Sequence, residues 1–122
     1  MSNELGYLQK YITYATASSS GTTIGYLPAN AYIVDIHVAN PTAFNVGSAD
    51  YLDIGDGTTA NKFADNIVMD GTGDRTVTST AYWGDVLSTS EPTQIVATYT
   101  PTGTAPTAGE SMITVLYAFD ES

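Results

Sequence analysis

The sequence predicts a single all-β domain, an antiparallel β-sandwich of jelly-roll type with about seven or eight strands. Composition is the first reason, because the chain is rich in Thr, Gly, Ala and Tyr and poor in the Lys, Arg and Glu that build exposed helix faces. The second reason is that short alternating segments are separated by Gly, Pro, Asp and Asn. No internal repeat of roughly 20 to 50 residues is visible, which argues against a propeller or a solenoid.

Length and charge limit the organisation of the chain and its partners. The 122 residues fit one domain, and we expect residues 1–8 to form an N-terminal arm and residues 9–122 to form the sandwich. The net charge is −10, with three Lys and Arg against thirteen Asp and Glu. Such a surface repels phosphates, so we expect neither nucleic acid nor a membrane as a partner. The chain has no cysteine, which excludes disulfides and zinc–thiolate sites, and no cofactor is expected.

Three strands are predicted in the first part of the chain. Residues 11–16 form the first, and a Ser- and Gly-rich turn follows it. Residues 24–27 form the second, which Pro28 ends because proline cannot donate to a strand ladder. Residues 31–40 form the third and longest strand, which we expect Pro41 to end.

The alternation in this third strand separates a core face from a mixed face. A period of two places four side chains on the side that we predict to be the core: Tyr32, Val34, Ile36 and Val38. The other side carries Ile33, Asp35, His37 and Ala39. Because charged and apolar side chains mix on this second face, it suits a wet surface or a contact with another subunit.

The middle of the chain contains one clear strand and several less regular segments. Residues 50–55 form the strand, and a Gly-Asp-Gly turn follows. Residues 58–69 favour a short helix or a loop that leads into a strand. Residues 75–80 alternate weakly, as an edge strand does. Residues 80–90 are predicted to cross one end of the domain before the chain rejoins a sheet at 86–87.

Two strong strands are predicted near the C-terminal end. Residues 93–100 place Ile95, Ala97 and Tyr99 in phase, and a polar loop with two prolines follows at 101–109. Residues 112–119 form the last strand, which is apolar on both faces. A strand of this kind is either central in its sheet or covered by a neighbouring subunit.

The residues that carry chemistry do not form a known catalytic motif, so we expect no enzyme activity. His37 is the only histidine, and it shares a strand face with Asp35 about 6.6 Å away. Together they either join a metal site across a symmetry axis or form an ordinary hydrogen-bonded surface pair. The acidic glycine turns at 53–57 and 70–74 have the residue types of calcium sites, and tight turns need the same residues.

Tyr82 and Trp83 are two adjacent large aromatic residues, and three interpretations are open for them. Large aromatic residues plug the end of a sandwich, contact another subunit, or form a platform on which a sugar ring stacks.

Three stretches resemble a type of small protein encoded in the virion gene clusters of tailed bacteriophages. They are TIGYLPANAYIVDIHVANPTAFN, SADYLDIGDGTTANKFAD and PTGTAPTAGESMITVLY, and together they extend over roughly residues 24–117. The resemblance implies a β-sandwich virion structural protein, most similar to capsid decoration (cement) proteins. It implies a homotrimer that binds the outside of a phage head and stabilises contacts between major capsid subunits, after synthesis in the host cytoplasm.

The alternative within the same resemblance is a tail or fibre component that recognises host surface glycans through Tyr82 and Trp83. For the decoration protein, we predict contact residues in the arm, on the mixed face of the long strand and in two loops. They are Leu5, Tyr7, Leu8, Asp35, His37, Pro41, Thr42, Phe44, Asn45, Pro101, Thr102 and Pro106.

Overall fold

A computed structural model of the protein describes residues 3–45, 50–102 and 105–120. Within these ranges, eight strands form two four-stranded antiparallel sheets, which confirms the predicted β-sandwich. The strands are β1 (Asn3–Thr13), β2 (Thr22–Leu27), β3 (Ala31–Thr42), β4 (Asp50–Gly55), β5 (Ala64–Val68), β6 (Gly73–Asp74), β7 (Thr93–Pro101) and β8 (Glu110–Asp120).

The strand order identifies the sandwich as a jelly roll. One sheet has the order β1-β8-β3-β6 and the other has the order β2-β7-β4-β5. Each early strand pairs with the strand that mirrors it in chain order: β1 with β8, β2 with β7, β3 with β6 and β4 with β5. A long antiparallel hairpin produces these pairings when it is rolled into two sheets. The last strand, β8, lies between β1 and β3, so the predicted central position is correct.

The hydrophobic core lies between the two sheets, and the alternating positions of their strands fill it. The three residues of β7 that are predicted to be in phase, Ile95, Ala97 and Tyr99, are all buried, and so are Ile113 and Val115 of β8. The largest fully buried side chains also include Phe44, Phe63, Ile12, Leu27, Ile33, Leu52, Ile54, Ile67 and Met69. Burial of each such side chain contributes about 1.5 to 3 kcal/mol, so these positions dominate the stability of the domain.

A β-bulge in β3 changes which residues of the long strand enter the core. Ile33 lies opposite Tyr117 and Asp35 lies opposite Leu116, so Val34 is an extra residue without a partner of its own. The Asp35 carboxylate accepts a hydrogen bond of 2.9 Å from the Ile36 backbone N–H and so fixes the bulge.

Because of the bulge, the two faces predicted for β3 are correct only after Val34. The core prediction is right for Ile36 and Val38, which are buried, and wrong for Tyr32 and Val34, which lie on the outer side. Ile33 is 1% exposed whereas Val34 is 42% exposed, the reverse of the strict alternation. One extra residue exchanges the two faces because the side-chain period of a strand is two.

The predicted N-terminal arm is incorrect for residues 3–8. These residues form the first half of β1, which pairs residue by residue with β8 from Asn3 opposite Asp120 to Thr13 opposite Glu110. β1 also ends at Thr13, whereas the sequence predicts a strand that ends at residue 16. Its inward positions include Gly6 and Lys10, which interrupt the apolar pattern that would have revealed it.

The boundaries after β3 also differ from the prediction. The strand continues through Pro41 to Thr42 because a second register shift between Ala39 and Thr42 accommodates the proline. Residues 58–63 form turns without a helix and lead into β5, so the loop-and-strand alternative is correct for this segment.

The segment that follows β6 runs along the edge of β3 and contains no strand. Backbone N–H groups of Arg75, Gly84 and Leu87 donate to the carbonyls of Val38, Ile33 and Ala31 at 2.7, 3.0 and 3.2 Å. The predicted strands at 75–80 and 86–87 are therefore wrong as strands. Single hydrogen bonds from this long connection cover the edge that β3 would otherwise leave open.

A buried carboxylate pairs with a buried tyrosine where β4 begins. The Tyr99 hydroxyl donates a hydrogen bond of 2.8 Å to Oδ2 of Asp50, and Asp50 is completely buried. Burial raises the pKa of Asp50 above its ordinary value of 3.8, and the hydrogen bond from Tyr99 partly opposes this rise. Burial, followed by the bond to Asp50, likewise raises the pKa of Tyr99.

The raised pKa of Asp50 predicts a pH-dependent effect of its removal. The folded state holds this proton more tightly than the unfolded state, so Asp50 stabilises the fold at low pH and loses that contribution as the pH rises through its folded pKa. Asp50→Asn abolishes this titration and keeps an oxygen for Tyr99. Compared with the native protein, the variant should therefore be more stable at neutral pH than it is in acid.

Urea denaturation at several pH values measures this difference, with fluorescence of Trp83, the single tryptophan, as the signal. Tyr99→Phe provides the opposite case. The variant lacks the hydrogen bond that lowers the pKa of Asp50, so this pKa rises further. The loss of stability relative to the native protein should therefore grow as the pH rises. An Asp50→Asn effect that stays constant with pH would contradict the prediction.

Candidate interaction surface

The outer side of the β1-β8-β3-β6 sheet carries an apolar surface, which we call the apolar face. Alternation along β1 and β8 and the bulge in β3 bring its side chains to one side of the sheet. They are Leu5, Tyr7, Gln9 and Tyr11 of β1, Met112, Thr114 and Leu116 of β8, and Tyr32, Val34, Asp35 and His37 of β3.

The large side chains of the apolar face are unusually exposed. Leu5 is 69% exposed, Tyr7 64%, Tyr11 46% and Val34 42%. β8 lies between β1 and β3, and its half-buried Met112 and Leu116 join the exposed side chains of those two strands into one patch. Contiguous apolar patches on a soluble domain mark surfaces that contact another macromolecule.

A shallow depression of about 360 Å³ lies at the centre of the apolar face. Its lining combines apolar walls with a few polar groups: Tyr7, Gln9, Asp35, His37, Thr114 and Leu116. The Gln9 amide donates a hydrogen bond of 3.1 Å to the Thr114 hydroxyl, so these two polar groups are already paired. The side chains of Asp35 and His37 are exposed and remain accessible to a partner.

Acidic groups lie at two edges of the apolar face and in its centre. Asp74 follows the turn beside β3, and its Oδ1 lies 3.0 Å from Nε2 of His37. Both side chains are exposed, so this pair contributes little to stability. At the opposite edge of the sheet, the Tyr11 hydroxyl of β1 donates a hydrogen bond of 2.6 Å to Glu110. These two carboxylates give the face an acidic rim, and Asp35 adds a third carboxylate in the central depression.

The outer side of the β2-β7-β4-β5 sheet, which we call the polar face, differs in composition. Its depression of about 340 Å³ is lined mainly by hydroxyl, amide and backbone groups, including Ser19, Ser20, Thr23, Gln94 and Thr98. Tyr26 and Val68 are exposed there on the two edge strands, β2 and β5, and such scattered apolar side chains are ordinary for a surface in water. The two faces of the sandwich are thus chemically distinct.

Four of the predicted contact residues meet on the apolar face, since Leu5, Tyr7, Asp35 and His37 come together from β1 and β3. Leu8 does not join them, because its side chain lies on the core side of β1, where it packs against the core and Gly25. Several residues of this face were not predicted, above all Gln9, Tyr11 and Leu116. The alternation Leu5, Tyr7, Gln9, Tyr11 in the sequence was the signal that would have identified them.

The two predicted contact loops meet at one end of the sandwich. The Asn45 side chain accepts hydrogen bonds from the backbone N–H groups of Thr107 and Ala108 at 2.8 and 2.9 Å, and it donates to the Thr107 hydroxyl at 2.9 Å. Their surface at this end includes the exposed or half-buried positions Pro41, Thr42, Pro101, Thr102 and Pro106.

Phe44 requires a correction, because its side chain is 1% exposed and unavailable to a partner. Its ring lies 5.0 Å from the Tyr99 ring, between centroids, and packs over Gly109. Phe44 is therefore a core residue that anchors the loop from inside.

Most of the residues considered for metal binding make hydrogen bonds within the fold. Across the described ranges, no group of three or more His, Asp and Glu side chains is placed to hold a metal ion. In the turn after β4, the Asp56 carboxylate accepts hydrogen bonds from the backbone N–H groups of Thr58 and Thr59 at 2.8 and 2.7 Å. Burial alone would raise the pKa of Asp56, but these bonds and Lys62 lower it. Turn chemistry thus accounts for Asp56.

Tyr82 and Trp83 do not present two free rings for stacking. The half-buried Trp83 packs against the core, and its indole N–H donates a hydrogen bond of 2.7 Å to the Phe63 carbonyl. The Lys62 ammonium lies 4.9 Å from the centre of the exposed Tyr82 ring. These contacts favour the interpretation of Trp83 as a plug of the sandwich.

The comparisons with known proteins identify a relative in fold alone. No protein-family model matches this chain, and no curated protein matches it. A chain of the cyanophage Pam1 capsid asymmetric unit is similar in structure, with a TM-score of 0.68 and 16% identity over 97% of this chain and 85% of that chain. A chain of the disulfide-linked pili that form Bacillus endospore appendages gives a TM-score of 0.44 and 14% identity, over 100% of this chain and 93% of that one.

The likeness to the cyanophage chain shows a common jelly-roll fold between two chains of similar length. The second likeness is too low in TM-score to indicate a common fold. No helix in the described part of the chain is long and apolar enough to cross a membrane.

Proposed function

We propose that this protein is a non-enzymatic structural component of a phage virion, a capsid decoration (cement) protein that binds the outside of the head as a homotrimer. The observation that carries the proposal is the jelly-roll fold shared, over 97% of this chain, with a chain of a phage capsid asymmetric unit. In this role the protein stabilises contacts between major capsid subunits by burying surface against them, without chemistry.

Charge supports a place on the outer capsid surface. A chain with a net charge of −10 would be repelled by packaged DNA, so the outside of the shell is the favourable side. The same charge keeps the protein soluble in the host cytoplasm, where it would be made before it meets the head.

The apolar face supports attachment by contact. Three long strands about 35 Å in length and about 5 Å apart give a face on the order of 500 Å², which is less than the roughly 800 Å² per partner of a standard interface. A homotrimer compensates for a small interface, because three linked faces bind together with higher avidity. The loop end formed around Asn45 and Thr107 is a separate surface and leaves room for contacts among protomers.

Addition of the purified protein to heads of its own phage, assembled without it, tests the proposal. We expect saturable, stoichiometric binding, measured by co-sedimentation, and heads that withstand higher temperature before they release DNA. Complete virions serve as the control, since their sites are already filled. A protein that binds heads of no maturation state would refute the proposal. Analytical ultracentrifugation tests the trimer separately, against a protomer mass of 12.8 kDa.

A further inference from the structure

We infer that the apolar face is the docking surface for a different protein, one that presents apolar side chains surrounded by Arg or Lys. On the proposed function this partner is the outer surface of the capsid shell, and the inference rests on that function. The polar face then points to the solvent. The competing occupant is a second copy of this chain, and the distribution of charge argues against it.

A second copy lacks the basic groups that the acidic rim requires. The chain has three basic side chains, Lys10, Lys62 and Arg75, against thirteen acidic ones. Lys62 lies 3.3 Å from the Asp56 carboxylate, and Arg75 donates a hydrogen bond of 2.9 Å to the Thr72 carbonyl. Both are thus occupied within their own protomer.

Lys10 also lies away from the apolar face. Alternate residues of β1 point to opposite sides of the sheet, so Lys10 lies on the same side as the buried Ile12 and on the other side from Tyr7 and Tyr11. Two apolar faces brought together would therefore cover the carboxylates of Asp35 and Asp74 in both copies, and neither face carries a Lys or Arg to balance them. Like charges brought together at an interface oppose association.

The central depression shows what kind of side chain the partner supplies. An Arg or Lys that enters it would lay its aliphatic stem across Leu116 and the Tyr7 ring and bring its charge to Asp35. Oδ1 of Asp35 is engaged by the Ile36 N–H, which holds the carboxylate in place. A fixed carboxylate beside apolar walls suits the planar guanidinium of arginine in particular.

Matched substitutions on the two faces test the inference. Tyr7, on the apolar face, and Tyr26, on β2 of the other sheet, are 64% and 57% exposed, so Tyr7→Glu and Tyr26→Glu are the same change at similar exposure. Val34→Glu and Val68→Glu form a second pair, at 42% and 46% exposure. Binding to undecorated heads is measured for each variant, together with its oligomeric state and thermal stability.

We expect Tyr7→Glu and Val34→Glu to weaken binding to heads by about tenfold or more, whereas Tyr26→Glu and Val68→Glu bind like the native protein. All four should keep the native oligomeric state. Binding of the native protein should weaken as salt rises, and the double variant with Asp35→Asn and Asp74→Asn should lose part of that salt dependence.

Three outcomes would overturn the inference. If native protein binds heads and Tyr7→Glu binds equally well, the apolar face is not the docking surface, although the proposed function stands. If Tyr7→Glu converts the native oligomer into monomers, the face is covered by a second copy. If native protein fails to bind heads at all, the inference and the proposed function fail together.

Discussion

Val38→Asp should lower the free energy of unfolding by at least about 3 kcal/mol, because it places a carboxylate in the core without a partner. Val34→Asp, the same substitution four residues earlier in β3, should change it by no more than about 1 kcal/mol. Val38 is 0% exposed whereas Val34 is 42% exposed. A strand of uniform alternation places both valines on one face and would make the two variants equally unstable.

The bulge in β3 is the physical reason for the difference. It adds one residue between Ile33 and Asp35 on the β3 side of the ladder, so positions before and after it follow opposite parities. Urea denaturation of the two variants, followed by Trp83 fluorescence, gives both free energies under identical conditions. Equal losses of stability in the two variants would show that Val34 and Val38 share a face and that the bulge is absent.

The fold class was predictable because it depends on features that many residues share. Alternating segments, turn residues and a scarcity of straight-chain charged residues all favoured a sandwich, and no single position decided it. The bulge was not predictable in the same way. One inserted residue leaves composition and local apolar content unchanged, and its register becomes visible only once β8 lies beside β3.

The first strand begins at Asn3, eight residues before the start that the sequence predicts, and the reason is a different one. Its inward positions hold Gly6, Leu8, Lys10 and Ile12, and only the last of these is fully buried. At Gly6 the end of the Tyr117 ring occupies the space that a Cβ would take. An edge strand that contributes few core side chains has a weak apolar pattern, although its outer residues alternate well.

The candidate surface was predicted in part. The sequence predicts that Asp35 and His37 face outward because charged side chains on a long strand rarely enter a core. It predicts the same for Phe44 because this residue follows Pro41 in an apparent loop. The structure instead turns its ring inward, and this is possible only because Gly109, far away in the sequence, leaves room for it.

Gly109→Ala should accordingly be among the most destabilising single changes in the loops, at about 3 to 4 kcal/mol. Gly109 has a φ of +149°, and an added Cβ would lie 2.5 to 2.9 Å from ring carbons of Phe44. The variant therefore combines backbone strain with a clash in a packed core. Gly84→Ala is the matched control, because Gly84 has a φ of +87° and no atom within 4 Å of the added Cβ.

A double-mutant cycle with Phe44→Ala separates the clash from the strain. Gly84→Ala should cost only about 1 to 2 kcal/mol, which is the penalty for a positive φ alone. In the Phe44→Ala background, Gly109→Ala should cost about the same, because alanine lacks the Cγ and Cδ atoms that an added Cβ would meet and so leaves only the strain. Equal costs for Gly109→Ala with and without Phe44 would mean that the ring does not pack on Gly109. Phe44 would then be free to turn outward at the loop end, where the sequence alone had placed it.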